Sequence, residues 1–204
     1  MVELHLYVEG GGDSKALHTA CRRGFSEFLA KAGLKGRMPR IVACGGRRHA
    51  YDDFCTALHQ GRYAAMLLVD SEDPVLVSSP WAHLLQRQGD AWPTPPHATD
   101  DDCHLMVQCM ESWFLADRDT LKNFFGQGYD ANALPAAENP IETIPKIAVY
   151  QALAKATKDC KTKAPYGKGE HSFLLLASID PAKIAAASPW ANRFITDLNQ
   201  TMIA

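Results

Sequence analysis

The chain has 204 residues, with 21 Lys plus Arg against 23 Asp plus Glu and a formal net charge of -2. That length can bury a real hydrophobic core without disulfides or a structural metal, and the charge balance excludes a dedicated nucleic-acid coat, so any polyanion site must be a local patch. Six cysteines at 21, 44, 55, 103, 109 and 160 form no C-x-x-C pair, which argues against a zinc knuckle or dithiol centre and for reduced, buried thiols.

The opening residues MVELHLYVEG lack the basic and apolar regions of a signal peptide, and no run approaches the roughly 18 apolar residues of a membrane span. A cytoplasmic protein without a membrane partner is expected. Residues 3 to 8 read as a strand, ended by Glu9-Gly10-Gly11-Gly12, after which Asp13 or Ser14 can cap a helix running to about Lys31. PRIVAC at 39–44 reads as a second strand closed by Gly45-Gly46, with a short helix over Tyr51 to His59. AAMLLV at 64–69 is a continuous apolar run, the pattern of a central parallel strand covered on both faces. From Pro74 to Asp102 the prolines at 74, 80, 93, 95 and 96 favour a loop-dominated segment with a short helix near Trp81 to Gln88. Strand character returns at His104 to Gln108. Helices follow over Met110 to Phe125, broken near Asp117, and over Pro145 to Lys158, and two short ones over Asp180 to Leu198 meet near Ser188-Pro189. No internal repeat or low-complexity linker is visible.

Chemistry concentrates where the apolar strands end. Glu9 and Asp13 flank three glycines, Gly10, Gly11 and Gly12, which let backbone approach a ligand, and a helix start there would favour a phosphate. An ordinary N-cap is the alternative for Asp13. Asp70 and Glu72 leave the third strand as alternate residues, so both carboxylates can point to one side. Carboxylates gathered at strand ends suit a hard divalent cation such as Mg2+ or Mn2+. Asp73 reads as solvent-facing. Glu111, in QCMESWF, is an acid among large apolar residues, hence either a further metal ligand or a paired core acid. Tyr166 to His171 (YGKGEH) reads as a glycine-flanked loop on which Lys168 can meet phosphate and His171 can transfer a proton, with a plain surface loop as the alternative. Arg47 and Arg48 after Gly45-Gly46 offer a phosphate clamp or a solvated pair. Neither a Walker A loop nor a G-x-G-x-x-G fingerprint, H-E-x-x-H or G-x-S-x-G is present.

Strand, Glu-Gly turn, helix, then strand and Asp-x-acid, resembles the Toprim catalytic domain of topoisomerases, primases and the overcoming-lysogenization-defect nucleases. LYVEGGGDSKAL, LLVDSEDPV, HLMVQCMESWFLAD and YGKGEHSFLLLASIDP together resemble the bacterial Toprim-like family known as domain of unknown function 4276. The resemblance implies that Glu9 assists proton transfer or binds metal, that Asp70 and Glu72 coordinate Mg2+, and that Asp13 is a further ligand. Glu72 stands where the Toprim pair usually has a second aspartate. The resemblance also implies a neighbouring ATP-binding-cassette-type ATPase in bacterial defence modules.

The expectation is an α/β fold, Toprim-like, with a central mostly parallel sheet flanked by helices. It forms one domain over residues 1–204, with a loop-rich insertion at about 74–102 and a helical C-terminal part. The expected function is Mg2+- or Mn2+-dependent cleavage of DNA or RNA, with ATP control supplied by a separate ATPase; a homodimer is left open. A catalytically silent module that docks on an ATPase and a small-molecule phosphohydrolase are the rivals.

Overall fold

The computed structural model describes residues 3–203. Four strands, β1 (Leu4–Val8), β2 (Arg40–Ala43), β3 (Ala64–Asp70) and β4 (Cys103–Met106), pair in parallel in the order β2-β1-β3-β4. The register sets Leu6 against Ile41 on one side and Met66 on the other, and Leu68 against His104. Side chains alternate across a strand, so Leu4, Leu6, Val8, Met66 and Leu68 enter one core while Tyr7, Ala65, Leu67 and Val69 enter another. This two-sided burial accounts for the unbroken apolar run in β3. The fold is α/β, as the sequence leads one to expect.

The first face is covered by α1 (Lys15–Leu29) and α6 (Glu170–Ser178), which pack on each other, and by α8 (Pro189–Ile203) behind β4. Phe28, Trp113 and Phe194 stack at its centre. The second face is covered by α2 (Arg47–Gln60) and α3 (Pro80–Gln86), through Tyr51, Phe54, Trp81 and Leu84. Ser14 caps α1, its hydroxyl accepting from the Leu17 N–H at 3.1 Å. The 74–102 stretch is loop apart from α3 and a 3-10 turn at Asp100–Asp102.

Differences from the sequence reading are local. Helix α2 starts four residues earlier than expected because Gly46 itself is the N-cap. Met110–Ala116 is a 3-10 helix rather than α, and α4 (Arg118–Phe125) restarts at Asp117. Asp117 accepts from the Thr120 hydroxyl, the Asp180 N–H and the Lys183 ammonium, which explains the break. Pro145 caps α5 (Lys146–Thr157) instead of lying in its first turn. The largest correction concerns YGKGEH: it is not all loop, because α6 begins at Glu170 and carries His171 in its first turn. Gly169, at φ +116°, ends the loop, and the apolar run that follows is long enough to be a helix buried between α1 and α4. Helix α7 (Pro181–Ala187) and α8 meet at Ser188, as expected.

His104 of β4 is fully buried, 5.4 Å from the ring of Phe194. Its Nε2 donates to the Asp101 carbonyl at 3.1 Å, and its Nδ1 has no partner among the described residues. Burial, assisted by Arg193, pushes its pKa down to about 3. The unfolded chain therefore takes up a proton near pH 6.5 that the native chain refuses until about pH 3, so stability falls as pH falls through that window. Urea titrations of wild type and His104→Phe should diverge below pH 6.5 by about 1.4 kcal/mol per pH unit, the wild type losing more. Parallel acid limbs would exclude His104 as the cause.

Candidate metal centre

Glu9 follows directly on β1 and is positioned by backbone pairing. Gly10 and Gly45 exchange N–H to carbonyl hydrogen bonds of 3.0 and 2.9 Å, which draws the start of α2 beside the end of β1. Gly45 has φ +71°, and a Cβ there would lie 2.6 Å from the Gly12 carbonyl oxygen, so only glycine permits this approach. The result is that Arg47, the first residue of α2, reaches Glu9 Oε2 at 3.2 Å and the Asp70 carbonyl. The same Glu9 oxygen accepts the Asp70 N–H at 3.1 Å, which fixes its orientation across the β1–β3 pair. Arg47 also forks onto Asp90 at 2.7 and 2.5 Å, while Arg87 bonds both Asp90 and Asp73.

Asp70 is the last residue of β3 and is 4 % exposed. Its Oδ1 accepts the Met110 N–H at 2.9 Å and its Oδ2 the Lys146 ammonium at 3.0 Å. Glu72 reaches the same ammonium at 2.6 Å. Both carboxylates do fall on one side, but not by continued strand alternation: Glu72 has φ +66°, and its N–H bonds the Gln108 carbonyl. A non-glycine residue held in the left-handed region costs about 1–2 kcal/mol, so the site stores strain at this turn.

Carboxylate oxygens of Glu9, Asp70 and Glu72 all lie within 4.8 Å of one another, an acidic cluster that could bind a metal. Opposite ligands of an octahedral Mg2+ are about 4.2 Å apart, so small rotations or one bridging water would close the spread. Two of the three, Glu9 and Asp70, line a cavity of about 500 Å3 together with Gly10, Gly11, Gly12, Asp13, Glu111 and Lys168; Glu72 lies outside its lining. Asp13 sits on an exposed turn at this cavity. Glu111 is nine-tenths or more buried and accepts from three hydroxyls: Tyr166 at 2.9 Å and Ser172 at 3.2 Å on Oε1, and Tyr150 at 3.1 Å on Oε2. Its partners are hydroxyls rather than a core cation.

The other expected residues divide. Lys168 is exposed at the cavity, its ammonium 5.3 Å from the Tyr150 ring. His171 is half-buried against Phe124 and Phe125, and its Nδ1 accepts the Gly167 N–H at 3.4 Å. Arg47 is bound to carboxylates, and Arg48 lies on the exposed side of α2, paired with Asp52 at 3.0 Å.

Charge is unbalanced here. Five carboxylates, Glu9, Asp70, Glu72, Asp73 and Asp90, share three cations, Arg47, Arg87 and Lys146. Burial opposes ionisation of Asp90, yet the Arg47 fork holds its carboxyl below the usual range. Glu9 is pushed up by burial, reinforced by Glu72 and opposed by Arg47. Burial and then Glu9 push Asp70 up to about 7, against the pull of Lys146. Burial works against the Lys146 ammonium too, but Asp70 and Glu72 outweigh it and hold its pKa above the ordinary value. With all five carboxylates ionised, they would outnumber these three cations by two.

Sequence reasoning missed Lys146, Asp90 and the Tyr150, Tyr166 and Ser172 hydroxyls. The only signal was an unspecific one: a lysine in the first position of a helix opposes the helix dipole, which carboxylates offset at Lys146, whereas Lys15 opens α1 with no ion pair among the described residues. Asp90 lies in a pattern-free loop and gave none.

Residues 8–199 match a family model described as Domain of unknown function (DUF4276). No curated protein and no solved structure matches the chain.

Lys146→Met should destabilise the metal-free protein at pH 8 by about 3 kcal/mol, because Asp70 and Glu72 lose their shared cation. The loss should shrink at pH 5.5, where a carboxylate with a raised pKa takes up a proton in the native state before the unfolded one does. Mn2+ should then raise the variant's melting temperature more than that of wild type. Equal metal-free melting temperatures at pH 8 would show that the ammonium does not offset the carboxylate repulsion.

Proposed function

The chain belongs to the DUF4276 family, and we propose that it is a Toprim-like nuclease that cleaves DNA or RNA with the help of Mg2+ or Mn2+. The observation that carries this reading is the convergence of Glu9, Asp70 and Glu72 at the ends of β1 and β3, with Glu9 and Asp70 on a cavity that the Gly10–Gly12 turn also lines. Carboxylate oxygens are the donor set that Mg2+ and Mn2+ prefer. A cation held by these three residues would supply an activated water and charge neutralisation at the leaving oxygen.

The chain's own groups divide the remaining work. Glu9 uses Oε2 for Asp70 and Arg47, which leaves Oε1 to take a proton. Lys168, exposed at the cavity, offsets phosphate charge, and the glycine turn lets a phosphate approach the backbone. His171 steadies the Lys168 loop through Gly167. Asp13 and Glu111 border the same cavity as further candidate ligands. The chain has no G-K-[ST] loop, so the ATP control that the family resemblance implies would come from a separate ATPase partner.

A second reading draws on Lys146, which already bridges Asp70 and Glu72, and on Arg47, which already meets Glu9. Protein-supplied cations of this kind would also serve a catalytically silent module that docks on an ATPase.

Purified chain should be incubated with plasmid, total RNA and free nucleotides, with Mn2+ or EDTA and with or without a neighbouring ATPase. The expected result is Mn2+-dependent cleavage of polynucleotide that drops at least about 100-fold in Glu9→Gln and in Asp70→Asn. Metal binding without turnover under all conditions favours the silent module, and turnover of nucleotides alone a phosphohydrolase. Glu111→Gln should fold and lose the Mn2+-induced thermal shift; a full shift removes Glu111 from the ligand set.

A further inference from the structure

Residues 155–168 contain Lys155, Lys158, Lys161, Lys163 and Lys168 with one acid, Asp159, in a chain of net charge -2. All five lysines are exposed. The segment is nevertheless fixed. The Tyr166 N–H donates to the Thr157 hydroxyl at 2.7 Å, the Lys161 N–H to the Gln127 carbonyl at 2.9 Å, and the Thr162 hydroxyl to the Phe125 carbonyl at 3.0 Å. These bonds pin the ribbon between the end of α5 and the turn after α4.

The charge on this ribbon is largely uncompensated. Among the described residues Lys155, Lys161 and Lys163 form no ion pair, and Lys158 meets only Asp159, at 3.7 Å with both side chains mostly in water, a contact worth little. Two ammonium groups lie against aromatic rings, Lys163 4.6 Å from Phe124 and Lys168 5.3 Å from Tyr150. The far end of the ribbon, Lys168, enters the cavity that holds Glu9 and Asp70.

We infer that residues 155–168 form a binding track for the phosphate backbone of a nucleic-acid strand, leading it to the acidic cluster. A small phosphate would meet one or two ammonium groups, whereas these lysines are spread along the segment and suit a repeated charge. Ammonium groups interleaved with aromatic faces are the composition of single-strand platforms. Only the destination of the strand rests on the nuclease reading; the binding does not.

The test is fluorescence anisotropy of labelled single-stranded and duplex DNA and RNA oligonucleotides in EDTA, from low to moderate KCl, which keeps metal and cleavage out of the measurement. The variant is Lys158→Ala/Lys161→Ala/Lys163→Ala, none of which lines the cavity. Each phosphate contact adds about 0.7 to the salt slope for single strands. The variant should therefore lose about 2 from that slope and bind at least tenfold more weakly at low salt, with its Mn2+-induced thermal shift intact. Unchanged affinity and slope overturn the track, as do a wild type that binds no oligonucleotide or binds polyglutamate or anionic vesicles equally well. Loss of oligonucleotide binding in the variant, with no Mn2+-dependent cleavage by either protein, upholds the track and sinks the nuclease. Equal cleavage by both with unchanged affinity does the reverse.

Discussion

Bringing three carboxylates within 4.8 Å of one another in a half-buried pocket is unfavourable unless something positive lies among them. Lys146 and Arg47 are that something, and the local architecture follows from placing them. Each is the first residue of a helix, where its charge opposes the dipole. At each, strand-end acids within hydrogen-bond reach offset that cost. The cations come from α2 and α5, far apart in sequence, so the acidic cluster ties both helices to the ends of β1 and β3.

That arrangement also limits how well the acids can be neutralised. Arg47 is shared among Glu9, Asp90 and the Asp70 carbonyl, and Lys146 between two carboxylates, so no acid in the cluster has a cation to itself. Asp70, the most buried, responds by holding its proton up to about pH 7. A bound metal cation would displace that proton, so its binding would be coupled to proton release.

Glu111 solves the burial problem differently. Three hydroxyl donors satisfy its oxygens, which offsets much of the cost of removing a carboxylate from water. The donors lie on α5, on the segment before α6 and on α6 itself, so this one acid gathers the elements that carry Lys146 and Lys168. Tyr150 stands between those two lysines, with its hydroxyl on Glu111 and its ring 6.0 Å from one ammonium and 5.3 Å from the other. Ser172, bonded to Glu111, also accepts the Gly169 N–H and so sets the start of α6 beside the cavity.

The sequence alone determined what local patterns can encode. The apolar run of β3 required cover on both faces and implied a parallel sheet. The glycines after Glu9 marked a close backbone approach, and the acids at 9, 70 and 72 marked the strand ends where carboxylates gather. The break at Asp117 and the junction at Ser188 were legible because side-chain caps and proline act within a few residues. Tertiary structure decided everything that depends on long-range pairing. Nothing near Asp90 marks it as the partner of Arg47, 43 residues away, and nothing in YGKGEH announces that Tyr166 and Ser172 will bind an acid at position 111. The start of α6 at Glu170 was hidden for the same reason: its glycines read as a loop until packing against α1 rewards a helix. Propensity and periodicity are local quantities, whereas the charge balance of a site is a sum over residues that only the folded chain brings together.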